Sequence, residues 1–129
     1  MASPDTGMEH DLSATLAAET VAEAFLQTLR SRGIEHFFVN AGTDFAPLVE
    51  AYARFRGSND AIFPKVCVAG HENLAMGMAH GAYLMTGKPQ AVMFHVTVGT
   101  ANAICAAINA AAERVPLFIC AGRSPLFEH

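Results

Sequence analysis

A chain of 129 residues, 52% hydrophobic and 16% charged, has the length of one domain and too little charge to cover a lone molecule's surface. The net charge of −4, with no basic cluster, excludes nucleic acid as an expected partner. The apolar surplus is expected to meet another domain or subunit.

Cys67, Cys105 and Cys120 are odd in number, widely spaced and set in apolar segments, and are expected as buried free thiols rather than disulfides or zinc ligands. The opening "MASPDTGMEHDLS" lacks the apolar core of a secretory signal, and no apolar run reaches the length of a membrane span. The expected setting is cytoplasmic, with no membrane partner.

Residues 1–13 read as a flexible tail, and residues 14–129 as a single domain. Thr20 and Glu23 have capping-box spacing, and the apolar residues behind them recur at helical intervals until Gly33. "IEHFFV" (34–39) predicts a strand, "NAGTDF" (40–45) a turn and "APLVEAYARF" (46–55) a second helix. "RGSND" (56–60) predicts a loop, and "FPKVCVA" (63–69) a second strand.

A small-residue helix follows over 72–85, stopped by "TGKP" with Gly87 and Pro89. "AVMFHV" (91–96) predicts a third strand, "TVGTANA" a turn into a helix reaching Arg114, and "LFICA" (117–121) a fourth strand. Mostly apolar strands alternating with helices predict a doubly wound, flavodoxin-like parallel sheet in three α/β/α layers. In such sheets ligands bind beyond the carboxyl ends of the strands. That rule selects the loops 40–45, 70–72, 95–100 and 121–125.

Those loops carry Asn40, Thr43, His71, Glu72 and His95. Glu72, opening a helix with no cation nearby in sequence, is either a plain first-turn carboxylate or a buried one. Burial would raise its pKa by desolvation, offset in part by helix amides. His95 is either a core histidine bonded to backbone or a functional one, while His36 and His80 lie inside elements and carry no stronger claim. Gly99 precedes no nucleotide-binding fingerprint, so close backbone packing is its expected role. The scattered histidines and carboxylates offer no metal set.

"VNAGT" (39–43), "GHENLAMGMAHGAYLMTGKP" (70–89) and "HVTVGTANAICAAINAAAERVPLFICAG" (95–122) resemble the pyrimidine-binding domain of thiamine-diphosphate enzymes, a group that includes acetolactate synthase, pyruvate oxidase and benzoylformate decarboxylase. The resemblance runs from about Thr20 to Pro125. It implies that Glu72 is the carboxyl that shares a proton with N1′ of the cofactor's aminopyrimidine, and that the substrate is a 2-oxo acid. It further implies cofactor contacts at Ala41, Gly42 and Asn102, and catalytic or substrate-positioning roles for His95 and Thr43.

Two details are nearer benzoylformate decarboxylase: Asn40-Ala41-Gly42-Thr43 stands for its N-P-G-S, and His95 leads to Gly99-Thr100-Ala101-Asn102 as in its H-S-A-A-G-T-G-N. Ala41 departs from the proline, Thr43 from the serine, and Arg123 from a frequent glutamine. Family members are several times longer, and a second domain with a G-D-G…N motif holds Mg2+ and the diphosphate. The implied function is therefore half of a decarboxylase or carboligase, inactive alone and either truncated or split between chains. It needs a diphosphate-binding domain or subunit and a homo-oligomer, a dimer or tetramer. Acetolactate-synthase-like condensation and a non-catalytic flavodoxin-like interaction domain stand as alternatives.

Overall fold

The computed structural model describes residues 17–55 and 62–123. The expected tail and the 56–60 loop lie outside the described residues. The first helix, α1 (Val21–Ser31), begins at the predicted capping box: Thr20 Oγ1 accepts from the Glu23 amide at 3.2 Å, and Glu23 Oε2 accepts from the Thr20 amide at 3.3 Å. The same Oε2 accepts from the Glu19 amide at 2.8 Å, while Oε1 accepts from Arg54 at 2.8 Å. One buried carboxylate thus caps one helix and ties it to the next.

Gly33 ends α1 at φ 81, where a left-handed residue lets the Ile34 amide reach back to the Leu29 carbonyl at 3.1 Å. Leu29 and Ile34 then meet in the core. Strand β1 (His36–Asn40) leads through a short 3-10 turn (Thr43–Phe45) into α2 (Ala46–Arg54), and the chain continues as β2 (Lys65–Val68), α3 (Glu72–Thr86), β3 (Gln90–Phe94), α4 (Val96–Ala112) and β4 (Leu117–Ala121). All strand pairs are parallel and the spatial order is β2-β1-β3-β4.

The winding direction reverses once. From β1 the chain moves outward to β2 through α2. It then crosses back over β1 through α3 to β3, and continues through α4 to β4. Crossovers of one hand running in opposite directions put their helices on opposite faces. Two cores result: Phe37, Val39 and Ala91 pack with α1 and α2, and Phe38, Val92 and Phe94 pack with α3 and α4. These are the expected three layers. Cover is complete over β1 and most of β3 and thins at the outer strands, where Val66, Val68, Phe118 and Ile119 are exposed.

The helix expected to begin after a turn in "TVGTANA" instead starts at Val96, directly after β3, so Gly99 lies inside its first turn. Packing against β3 and α3 overrides the weak helix preference of Val96, Thr97 and Val98. Cys67 and Cys120 are half-buried as free thiols, but Cys105 is exposed, against the expectation of burial, because an apolar stretch of helix does not say which face turns inward. Burial pushes the Cys120 thiol up to about 12.

Helix α4 closes with the same carbonyl-capping geometry as α1, the Val115 amide reaching the Ala110 carbonyl at 2.9 Å. Here, however, Arg114 occupies the left-handed position, at φ 56. An Arg114→Gly substitution is expected to stabilise the chain by about 0.5–1 kcal/mol, read as a higher urea midpoint at unchanged slope.

Candidate functional site at the strand carboxyl ends

The reversal in winding separates α2 and α4 behind the ends of β1 and β3, opening a crevice between adjacent strands. Two side-chain clusters occupy this edge, and α4 contributes to both.

The first cluster surrounds Glu72. His71 caps α3, its Nδ1 accepting from the Asn73 amide at 3.2 Å, and so orients the turn. Glu72, the first residue of α3, is 6% exposed. Its Oε2 accepts from Asn102 Nδ2 at 3.2 Å, and Asn40, at the end of β1, also hydrogen-bonds the carboxylate. Gly99 leaves room for it: a Cβ there would lie 3.1 Å from both Glu72 Oε1 and Phe94 Cβ. The close backbone packing expected at Gly99 is thus packing against Glu72.

The expected rise in the Glu72 pKa is not what this environment produces. Desolvation, the largest single influence, pushes the carboxyl up. The backbone amide of Glu72, the Asn102 amide, His71 and Asn40 together outweigh it and hold the carboxyl below its ordinary value. Ala69, Gly70, Leu74, Ala75 and Met76 offer no cation to Glu72, but N–H donors favour the ionised form as well, and His71 adds to them electrostatically. A group whose folded pKa is depressed contributes stability above its unfolded pKa and loses that contribution as pH falls through the folded one. The stability gap between the native chain and Glu72→Gln is therefore expected to narrow from about pH 5 downward, measured as urea midpoints across acid pH.

The second cluster joins the loops after β1 and β3. His95 Nδ1 lies 2.6 Å from Asp44 Oδ1, with side-chain exposures of 40% and 16%. Two glycines make this approach possible by having no side chain. A Cβ at Gly42 would overlap the His95 ring, and one at Gly122 would overlap the Asp44 carboxylate. The Gly122 amide also donates to the Phe94 carbonyl at 3.1 Å, fixing the end of β4 against the end of β3. Val96, next to His95, has φ 36, a strained conformation for a β-branched residue. Asp44 Oδ2 is buried with no hydrogen-bond partner among the described residues.

All four loops selected from the sequence contribute. Glu72, Asn40 and Asn102 come together, and Gly42 packs on His95. Thr43 and Ala41 are exposed at the lip of the β1 loop, and it is Asp44, not Thr43, that meets His95. Asp44 and Gly122 are the residues that sequence reasoning missed. The available signal for Asp44 was an acidic residue in the turn after the first strand, opposite the histidine that ends the third. His80, at 3.1 Å from Glu113, bridges α3 to the end of α4 well along both helices from this edge.

Residues 19–128 match the model of the family described as thiamine pyrophosphate enzyme, N-terminal TPP binding domain. The chain belongs to this family. This TPP-binding domain is 32% identical over 106 residues to benzoylformate decarboxylase of Pseudomonas aeruginosa, covering 81% of this chain and 18% of that protein. It is 29% identical over 102 residues to the acetolactate synthase large subunit of Haemophilus influenzae, covering 79% of this chain and 17% of that one.

Among solved structures, the thiamine diphosphate-dependent 4-hydroxybenzoylformate decarboxylase of Rhodococcus jostii RHA1 has a TM-score of 0.70 at 30% identity, covering 83% of this chain and 19% of that chain. The chain thus spans less than a fifth of the length of each of these relatives. No described helix is long and apolar enough to cross a membrane.

Proposed function

We propose that this domain forms the aminopyrimidine side of the active site in a thiamine-diphosphate-dependent enzyme that decarboxylates or ligates 2-oxo acids. The observation that carries the reading is the seating of Glu72: a carboxylate almost closed to water, held by neutral donors, at the crevice edge of a TPP-binding domain.

The residues fit the group. A protonated ring nitrogen requires an acceptor, and Glu72 is kept ionised and therefore acceptor-only. When bound, the cofactor supplies an acidic thiazolium carbon and a sink for the electron pair left by departing CO2. Glu72 holds and returns the proton at N1′, and Asn102 keeps the carboxylate oriented. Ala41 and Gly42 form the wall beside the pyrimidine, and His95 and Thr43 position the substrate. Mg2+ and the diphosphate belong to a second domain.

That domain, or a further copy of this chain, covers the exposed apolar side chains of α3 and α4, among them Leu74, Met85, Val98 and Ile108. Dimeric or tetrameric assembly and a cytoplasmic setting accompany this reading.

His95 favours decarboxylation, because synthases of this family carry T-S-G-P-G-A-T-N at that strand end. Incubation of the full-length protein with pyruvate, thiamine diphosphate and Mg2+ separates the reactions: a decarboxylase releases an aldehyde, a synthase an acetohydroxy acid. The test of the cofactor assignment is a calorimetric titration of thiamine diphosphate and Mg2+ into the full-length protein. Saturable binding is expected, and its absence would leave a non-catalytic interaction domain.

A further inference from the structure

We infer that Asp44 is a positioning residue for His95, fixing its Nδ1–H tautomer so that Nε2 meets the substrate as a proton acceptor. The inference rests on the proposed substrate-facing role of His95. The geometry that points to it lies in the turn after β1, one position past the N-A-G-T stretch.

At 2.6 Å, an ionised Asp44 can only accept, so the proton between Asp44 and His95 sits on Nδ1. Neutral His95 then has an unprotonated Nε2, and among the described residues Nε2 has no partner. Proton uptake there takes the net charge of the pair from −1 to zero. Nε2 accepts the proton of the hydroxyl at the reacting carbon as that carbon reverts to a carbonyl on product release, and gives it back to the carbonyl oxygen of the next 2-oxo acid, so His95 and Asp44 are restored with each turnover.

Three independent features are spent on this one contact. Gly42 and Gly122 each leave a space that any side chain would fill. Val96 is held at a positive φ directly after the histidine. The second Asp44 oxygen is buried and bonds to nothing else among the described residues, so neither carboxylate oxygen caps a helix or pairs with a cation. Strain and buried unpaired polar atoms persist where the surrounding structure imposes an orientation.

The experiment is nitrogen NMR of the full-length protein labelled with 15N-histidine, the His95 signals assigned by their loss in His95→Gln. The expected native pattern is Nδ1 protonated and Nε2 bare, reversing in Asp44→Asn, whose amide donates instead. A native Nε2–H tautomer, or an unchanged pattern in Asp44→Asn, would overturn the inference. Gly122→Ala, which displaces the carboxylate without changing any charge, should also disturb the tautomer. It provides a second route should Asp44→Asn fail to fold.

In turnover, Asp44→Asn is expected to lower kcat by about 10²-fold with KM and cofactor binding changed little. A loss confined to KM would count against a tautomer role. The NMR result stands without activity, so failure of the functional proposal and failure of this inference are told apart.

Discussion

Glu72→Gln in the full-length protein is expected to lower thiamine-diphosphate-dependent CO2 release by about three orders of magnitude while the fold is retained. Glutamine has the same shape, fits beside Gly99 and can still accept from Asn102 through its carbonyl oxygen. It cannot take or return a proton, and its amide would turn a donor toward a ring nitrogen that must itself donate. The measurement is CO2 evolution from a 2-oxo acid at saturating cofactor, with far-ultraviolet circular dichroism as the control for folding. Activity within tenfold of native would remove Glu72 from the proposed role.

The largest stability effect is expected at Glu23, far from the crevice. Its carboxylate is 1% exposed and accepts from the Glu19 and Thr20 amides and from Arg54. Hydrogen bonds to a charged group contribute about 1.5–3 kcal/mol each where burial removes the alternative of water. Glu23→Ala removes the carboxylate half of the capping box and the link to α2 together, and leaves unfilled space. A loss of about 3 kcal/mol is expected, measured as a lower urea midpoint with an unchanged slope. Glu19→Ala, at the exposed end of the same cluster, should cost no more than about 1 kcal/mol. Equal losses at the two positions would show that burial does not set the effect.

Glu23 and Gly33 also show what the sequence could reveal. In bounding α1 both act within a few residues of their capping partners, so capping-box spacing and a glycine past the last apolar position were enough to find the ends of the helix, though not the Glu23 link to Arg54. The parallel architecture was legible for a related reason: apolar strands buried on both faces lack alternation, and the helices between them keep their own period. The edge carrying the site followed from the topology.

What stayed hidden depends on partners distant in sequence. Glu72 and Asn102 are separated by thirty positions and His95 and Asp44 by fifty-one. A reading of neighbouring residues therefore found desolvation at Glu72 offset only in part by helix amides, and not the Asn102 and Asn40 side chains that help to tip the balance. The resemblance drew attention to Thr43, one position before the side chain that touches His95. The start of α4 was obscured because Val96, Thr97 and Val98 have the composition of a strand end or turn, and only packing makes them a helical turn.

One helix carries His95 at its cap, Gly99 in its first turn and Asn102 in the next. The spacing between the two clusters is therefore set by helical pitch, about 1.5 Å per residue, and not by the length of any loop. One residue inserted between 96 and 101 would swing one cluster about 100° around the axis relative to the other. This short segment works as a ruler, tolerant of changed side chains on its outer side and intolerant of changed length.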